Sequence, residues 1–183
     1  MRFVITAEWS KNRLLQTIIV LFVIYIGVLW VSNALLYFHK MNLTYTSVVE
    51  YYLGSEAKFL QPRSYQGMLE ISHFHFFAMG ILLLTLTHLM LFVPLPPARK
   101  PFLIVWPFVS ALLDEGSNWL VRFVHPYFAY LKIASFLSLE VSLAVLMGLS
   151  LWAVFYGSQE SYGKTAVQVQ SRQQPGEDLE PVS

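Results

Sequence analysis

Residues 72–93 read SHFHFFAMGILLLTLTHLMLFV, an apolar run long enough to cross a bilayer that also holds three of the chain's five histidines. A run of this kind leaves few folds open, because lipid admits only backbones that satisfy their own polar groups, and a helix does so within one segment. Imidazole inside lipid is costly unless it is neutral and partnered. Three on one span therefore point to a function, with a metal or haem iron as the first partner to weigh.

Helical geometry decides which of these rings can act together. At about 100° per residue, His73 and His88 differ by roughly 60° and share a face, whereas His75 lies roughly 160° from His73. Gly80 falls near the His73 direction and between the two, where a missing side chain lets a flat macrocycle or another backbone lie close. At about 1.5 Å per residue the two imidazoles stand roughly 22 Å apart, one near each membrane surface.

A helix with two histidines at this separation and a glycine between them resembles the ligand helices of membrane b-type cytochromes. The resemblance is confined to residues 72–93, and the chain carries no second helix with such a pair. It implies haem b ligation, each such helix giving one axial ligand to each of two haems. Read without that resemblance, a membrane histidine hydrogen-bonds across a helix interface.

The rest of the chain is of the same kind. Of its 183 residues 56% are hydrophobic and 13% charged, with a mean hydropathy of +0.53, which indicates an integral membrane protein of one domain. The absence of cysteine excludes thiolate-held iron–sulfur clusters, disulfides and covalently attached haem. A net charge of +1 with no basic block gives no case for nucleic acid.

The expected fold is an all-α integral membrane protein, a four-transmembrane-helix bundle antiparallel in sequence order. Its spans are about 14–38, 67–93, 102–124 and 127–156, followed by a disordered cytoplasmic tail over 157–183. The first span is longer than a signal-peptide core and lacks a cleavage pattern. In the loop over 40–71, Ser47 and Glu50 have capping-box spacing and Gly54 stops a short helix. Ser64 caps the second span, and four prolines make 94–101 a stiff turn. Seven lysines and arginines fall on one side of this topology and five on the other. That bias places both termini in the cytoplasm, in a bacterial inner membrane.

Candidate site residues follow from depth. His39, His73, His75 and His125 are expected to converge on the non-cytoplasmic side, with Arg63 placed to pair with haem propionates. One arrangement holds haem b between His73 or His75 and a second imidazole, His125 being preferred to His39. The other is a Cu, Zn or non-haem Fe site of nitrogen and carboxylate ligands at the outer face. His88 has no histidine at its depth, and needs a second copy, another subunit or Met147.

In the third span Asp114, Asn118 and Arg122 recur every four residues with His125 following, so one helical face is polar. It is either an Asp114–Arg122 relay helped by a break at Gly116, or a proton or metal path. Asp114, Glu115 and Glu140 are the proton-path candidates, Glu140 lying near mid-membrane. The expected function is a haem b-binding subunit for electron transfer in a bacterial-type respiratory chain, rather than a stand-alone enzyme. A non-haem metal-binding protein or a structural subunit is the alternative. Its partners are the bilayer, further copies or other respiratory subunits, and a quinone where the electrons are quinol-linked.

Overall fold

The apolar runs become helices because nothing in them interrupts the backbone ladder, and the punctuation between them comes from identifiable caps. The computed structural model describes residues 13–173, with side chains placed through Phe155. Its helices are α1 (Arg13–Lys40), α2 (Tyr45–Leu53), α3 (Tyr65–Met90), α4 (Lys100–Phe123) and α5 (Phe128–Gln173). Among the described residues there is no β-strand, only an isolated bridge between Ser55 and Leu60. Helices α1, α3 and the Phe128–Phe155 part of α5 are each long and apolar enough to cross a membrane.

Helix α5, rather than the histidine-bearing α3, is the hub, with α1, α2, α3 and α4 all packed on it. Side-chain pairs give the directions. Gln16, Trp30 and Tyr37 of α1 meet Val154, Glu140 and Phe136 of α5, a descending order that makes the two antiparallel. Asp114 meets Lys132 while Ser110 meets Ser138, so α4 also runs against α5. One apolar cluster joins Ile19, Val23 and Ile26 to Leu83, Leu86, Met90, Leu143 and Leu146. A second, at the α2 end, gathers Tyr37, Met41, Val48, Tyr52, Met68, Val121 and Phe136.

The connections between helices are made by side chains. Thr44, not Ser47, caps α2, its hydroxyl accepting from the Ser47 amide, while the Ser47 hydroxyl accepts from the Asn42 amide at 2.9 Å. Glu50 is thereby free to pair with Lys58 at 2.6 Å. Gly54 stops α2 with φ of 83°. Ser64 caps α3, accepting from the Gly67 amide at 3.1 Å. Past the α3 terminus, the proline-rich turn brings the Lys100 ammonium to the Leu91 carbonyl at 2.7 Å, where a cation suits the helix dipole.

Two expectations about helix limits are corrected. Helix α4 runs unbroken through Gly116 and keeps Pro107 in its interior, since packing on both α3 and α5 outweighs one glycine and one lost ladder bond. Helix α5 continues to Gln173, past the end expected for the fourth span at about 156, and no proline intervenes before Pro175. Arg2 and Lys11, counted for topology, and the tail from 174 lie outside the described residues.

At Gly54 an added Cβ would sit 2.5 Å from the Leu60 carbonyl, on a backbone of positive φ. Gly54→Ala should therefore cost about 1–3 kcal/mol, read as a lower thermal midpoint of the detergent-solubilised protein. An unchanged midpoint would mean that this turn is not part of the cooperative fold.

Candidate functional site

The helical repeat decides which polar groups turn inward. On α3 the buried positions Met68, Ser72, Leu82, Leu83, Leu86 and Met90 define the packed face. His75, one helical turn after Ser72, is half-buried on that side. On α4 the buried positions include Ser110, Asp114, Glu115, Ser117 and Val121. Helix α5 answers with Lys132, Ser135 and Phe136, all buried.

Two polar groups result. In the first, the Lys132 ammonium lies 2.8 Å from Asp114 Oδ1, with both side chains nearly inaccessible. In the second, Glu115 is the common acceptor. Its Oε1 takes the Ser72 hydroxyl, and its Oε2 takes the Asn118 amide at 3.2 Å and lies 3.4 Å from His75 Nδ1. The Trp119 indole N–H donates to Ser72 Oγ at 2.8 Å, which obliges the serine to spend its own proton on Glu115. Tyr52 of α2 donates to Asn118 Oδ1 at 2.6 Å. Burial pushes the Tyr52 hydroxyl well above its usual range, keeping it a donor.

These groups border a cavity of about 410 Å³ enclosed by α1, α2, α3, α4 and α5. From α1 it receives Asn33, Tyr37 and Lys40; Arg63 closes it beside α2, its guanidinium stacked over Tyr51 at 4.0 Å. The Tyr37 ring stacks on Phe136 with centroids 3.7 Å apart. Its buried hydroxyl has no partner among the described residues. A smaller cavity of about 80 Å³ runs from His75, Asp114 and Glu115 toward Gly80 between α3 and α4.

The remaining expected site residues do not join this group. His39, His73, His88 and His125 are all exposed. The His73 ring lies edge-on to Phe74 and the His88 ring edge-on to Phe92. His125 accepts from the Tyr127 amide at 3.2 Å and stacks on the Tyr127 ring. The expected convergence of four histidines is thus corrected: the angle that sets His73 with His88 sends His75 alone into the bundle. No three His, Asp or Glu side chains form a metal-holding group among the described residues. Met147 is buried in the core cluster while His88 faces out, so it does not serve as a ligand partner. The Asp114–Arg122 relay is replaced as well, with Arg122 Nε donating to the Arg63 carbonyl at 2.8 Å. Lys132 on the neighbouring helix reaches Asp114 directly, whereas two turns of α4 separate it from Arg122. Glu140 is buried, its Oε1 accepting from Asn33 at 2.8 Å.

Lys132, Ser72, Trp119, Tyr52 and Tyr37 are additions that reading the sequence missed. For Lys132 a signal existed: it stands about one, two and three turns before Ser135, Leu139 and Ser142, on the face that α5 buries.

A family model for a transmembrane helical domain, Aq_1264_TM, matches residues 42–161. The chain belongs to that family. No curated protein and no solved structure matches it. The Aq_1264_TM region contains the whole His75–Glu115–Asn118 group and the Asp114–Lys132 pair, while Asn33, Tyr37 and Lys40 come to the cavity from α1, before the matched stretch begins.

Removing one partner of a buried ion pair strands the other, so Lys132→Met alone should destabilise the Aq_1264_TM domain by about 3–5 kcal/mol. Adding Asp114→Leu should recover most of that loss, measured as thermal midpoints in detergent. Two single variants as stable as the parent would show that the pair does not hold α4 to α5.

Proposed function

We propose that the protein is a haem b-binding membrane subunit that carries single electrons in a bacterial-type respiratory chain, with α3 as the ligand helix. The observation that carries this reading is a stripe along α3. His73, Phe77, Gly80, Leu84, His88 and Leu91 recur every three or four residues, and all six are exposed. Neither imidazole hydrogen-bonds to any described residue, and a Cβ on Gly80 would meet nothing within 4 Å. Polar rings facing lipid without a partner are unfavourable. The chain thus offers two nitrogen donors, an apolar surround and a gap between them for something flat.

One-electron exchange is the chemistry that haem b supplies when held by such ligands. Each chain brings one imidazole at each level, and a second copy packed on the same stripe brings the others. His75, turned inward, takes no part. Helix α4 is the fourth span in this arrangement: 24 residues extend about 36 Å, its acids turned toward α3 and α5. The Arg99 turn then faces the cytoplasm along with both termini.

The purified protein should show a dithionite-reduced spectrum of six-coordinate haem b. His73→Ala and His88→Ala should each remove one of two ligand fields, and His75→Ala should keep both. A colourless, folded protein or spectra unmoved by both substitutions would refute the assignment. Because the chain has no cysteine, topology can be read by single labels: Arg99→Cys and His125→Cys should react from opposite sides of the membrane. Reaction from one side would remove α4 as a span.

A further inference from the structure

The large cavity, about 410 Å³ and within the range of small-molecule sites, carries more positive charge than its own carboxylates balance. Its lining holds Lys40, Arg63 and Lys132 against Asp114 and Glu115. Deep inside, the charges are matched. Lys132 is paired with Asp114 at 2.8 Å. Both oxygens of Glu115 already accept, from Ser72 on one and from Asn118 on the other, with His75 Nδ1 3.4 Å away.

At the outer end Lys40 and Arg63 have no such counterpart. Neither belongs to an ion pair among the described residues. The charges that act on the Lys40 ammonium are those of Arg63 and Lys132, all of one sign. None of Glu50, Glu56 and Glu70 lines the cavity; Glu50 holds Lys58 at 2.6 Å, and Glu70 accepts from the Gln66 amide at 3.0 Å. Two cations, one at the end of α1 and one in the turn before α3, are thus held at one opening although they repel.

Arg63 is fixed there without using its charge. Its amide donates to the Tyr52 carbonyl at 3.0 Å, its carbonyl accepts from Arg122 at 2.8 Å, and its guanidinium lies over the Tyr51 ring at 4.0 Å. The guanidinium N–H groups donate to no described residue. An arginine fork and a lysine ammonium lining one space suit an oxyanion, and phosphate offers its oxygens in more than one direction. Two routes reach this point. Leu36 of α1 and Ile71 of α3 line the cavity yet are 51% and 50% exposed, so a lipid can place its head inside and leave its chains in the bilayer. Exposed Gln61, Pro62 and Ser64 open the outer end, by which a soluble anion enters.

We infer that the outer end of this cavity binds a phosphate-bearing anion, its oxygens held between the Lys40 ammonium and the Arg63 guanidinium. Lys40 and Arg63 are the binding residues, while Lys132 and Glu115 keep the partners they have. Nothing in this assignment needs iron on α3, because His73 and His88 do not line the cavity.

The test uses the full chain, stripped of lipid in dodecyl maltoside and phosphate-free buffer, with its thermal midpoint followed at constant ionic strength. Dioleoylphosphatidylglycerol and inorganic phosphate are titrated separately, and a saturable rise is expected. A rise with phosphatidylglycerol alone assigns the phosphate to a lipid head, and a rise with inorganic phosphate assigns it to a soluble anion; either supports the inference. Lys40→Gln and Arg63→Gln, both at exposed positions, should each weaken the apparent affinity about tenfold, the effect of one lost charge-assisted hydrogen bond. Lys58→Gln removes an equal charge from the same loop but outside the cavity, and should bind as the parent does. So should His73→Ala, which separates this site from the haem assignment. No saturable rise with either anion, or an equal rise with dioleoylphosphatidylcholine, would overturn the inference. So would a loss in Lys58→Gln as large as that in Arg63→Gln, or loss of binding in His73→Ala, which would make the site part of the haem assembly.

Discussion

A lysine and an aspartate facing each other between apolar helices leave little freedom in how those helices meet. Lys132 and Asp114 are nearly inaccessible and lie 2.8 Å apart. A slide of α4 along α5 by one residue would swing either group away from the other. The cost of an unpaired charge there, several kcal/mol, exceeds what most single apolar contacts return. The pair therefore sets the register of α4, and α4 in turn carries Glu115, Asn118 and Trp119 to α3 and α2. Ser110, bonded to Ser138 at 2.8 Å, holds the same register toward the opposite end.

Around that register the polar groups are arranged by donor count. Glu115 has acceptor capacity for several donors and receives them from Ser72, Asn118 and His75. Trp119 can only donate, so Ser72 is turned by it toward the carboxylate. The carboxylate ties α3 to α4, and Asn118 passes the connection on to Tyr52, which is why α2, a helix of only nine residues, can be held firmly across the end of the bundle.

Much of this was legible in the chain. The apolar runs, the Gly54 stop, the Ser64 cap and the division of His75 from His73 and His88 follow from local backbone chemistry and a 100° repeat. What escaped is partner choice. Asp114, Asn118 and Arg122 were placed on one face, yet a helical face does not say which neighbour it meets. Nothing within α4 points to Lys132, which α5 buries against it. Capping shifted from Ser47 to Thr44 because both hydroxyls precede the same run and only the backbone path between them decides. Two tyrosines tell a similar story: Tyr45 and Tyr130 stack with centroids 5.2 Å apart, a pairing between α2 and α5 that no spacing within either segment announces.

Helix α1 contributes Tyr37 and Asn33 to the cavity while packing chiefly on α5. Its other sides, with Leu21, Ile24, Tyr25 and Val28, are bare. Helices α2 to α5 by themselves would present a furrow, and α1 is the plank that roofs it. Roofing of this sort asks only for an apolar helix that fits α5, so the chamber could be finished from within one polypeptide or lent its last wall by another.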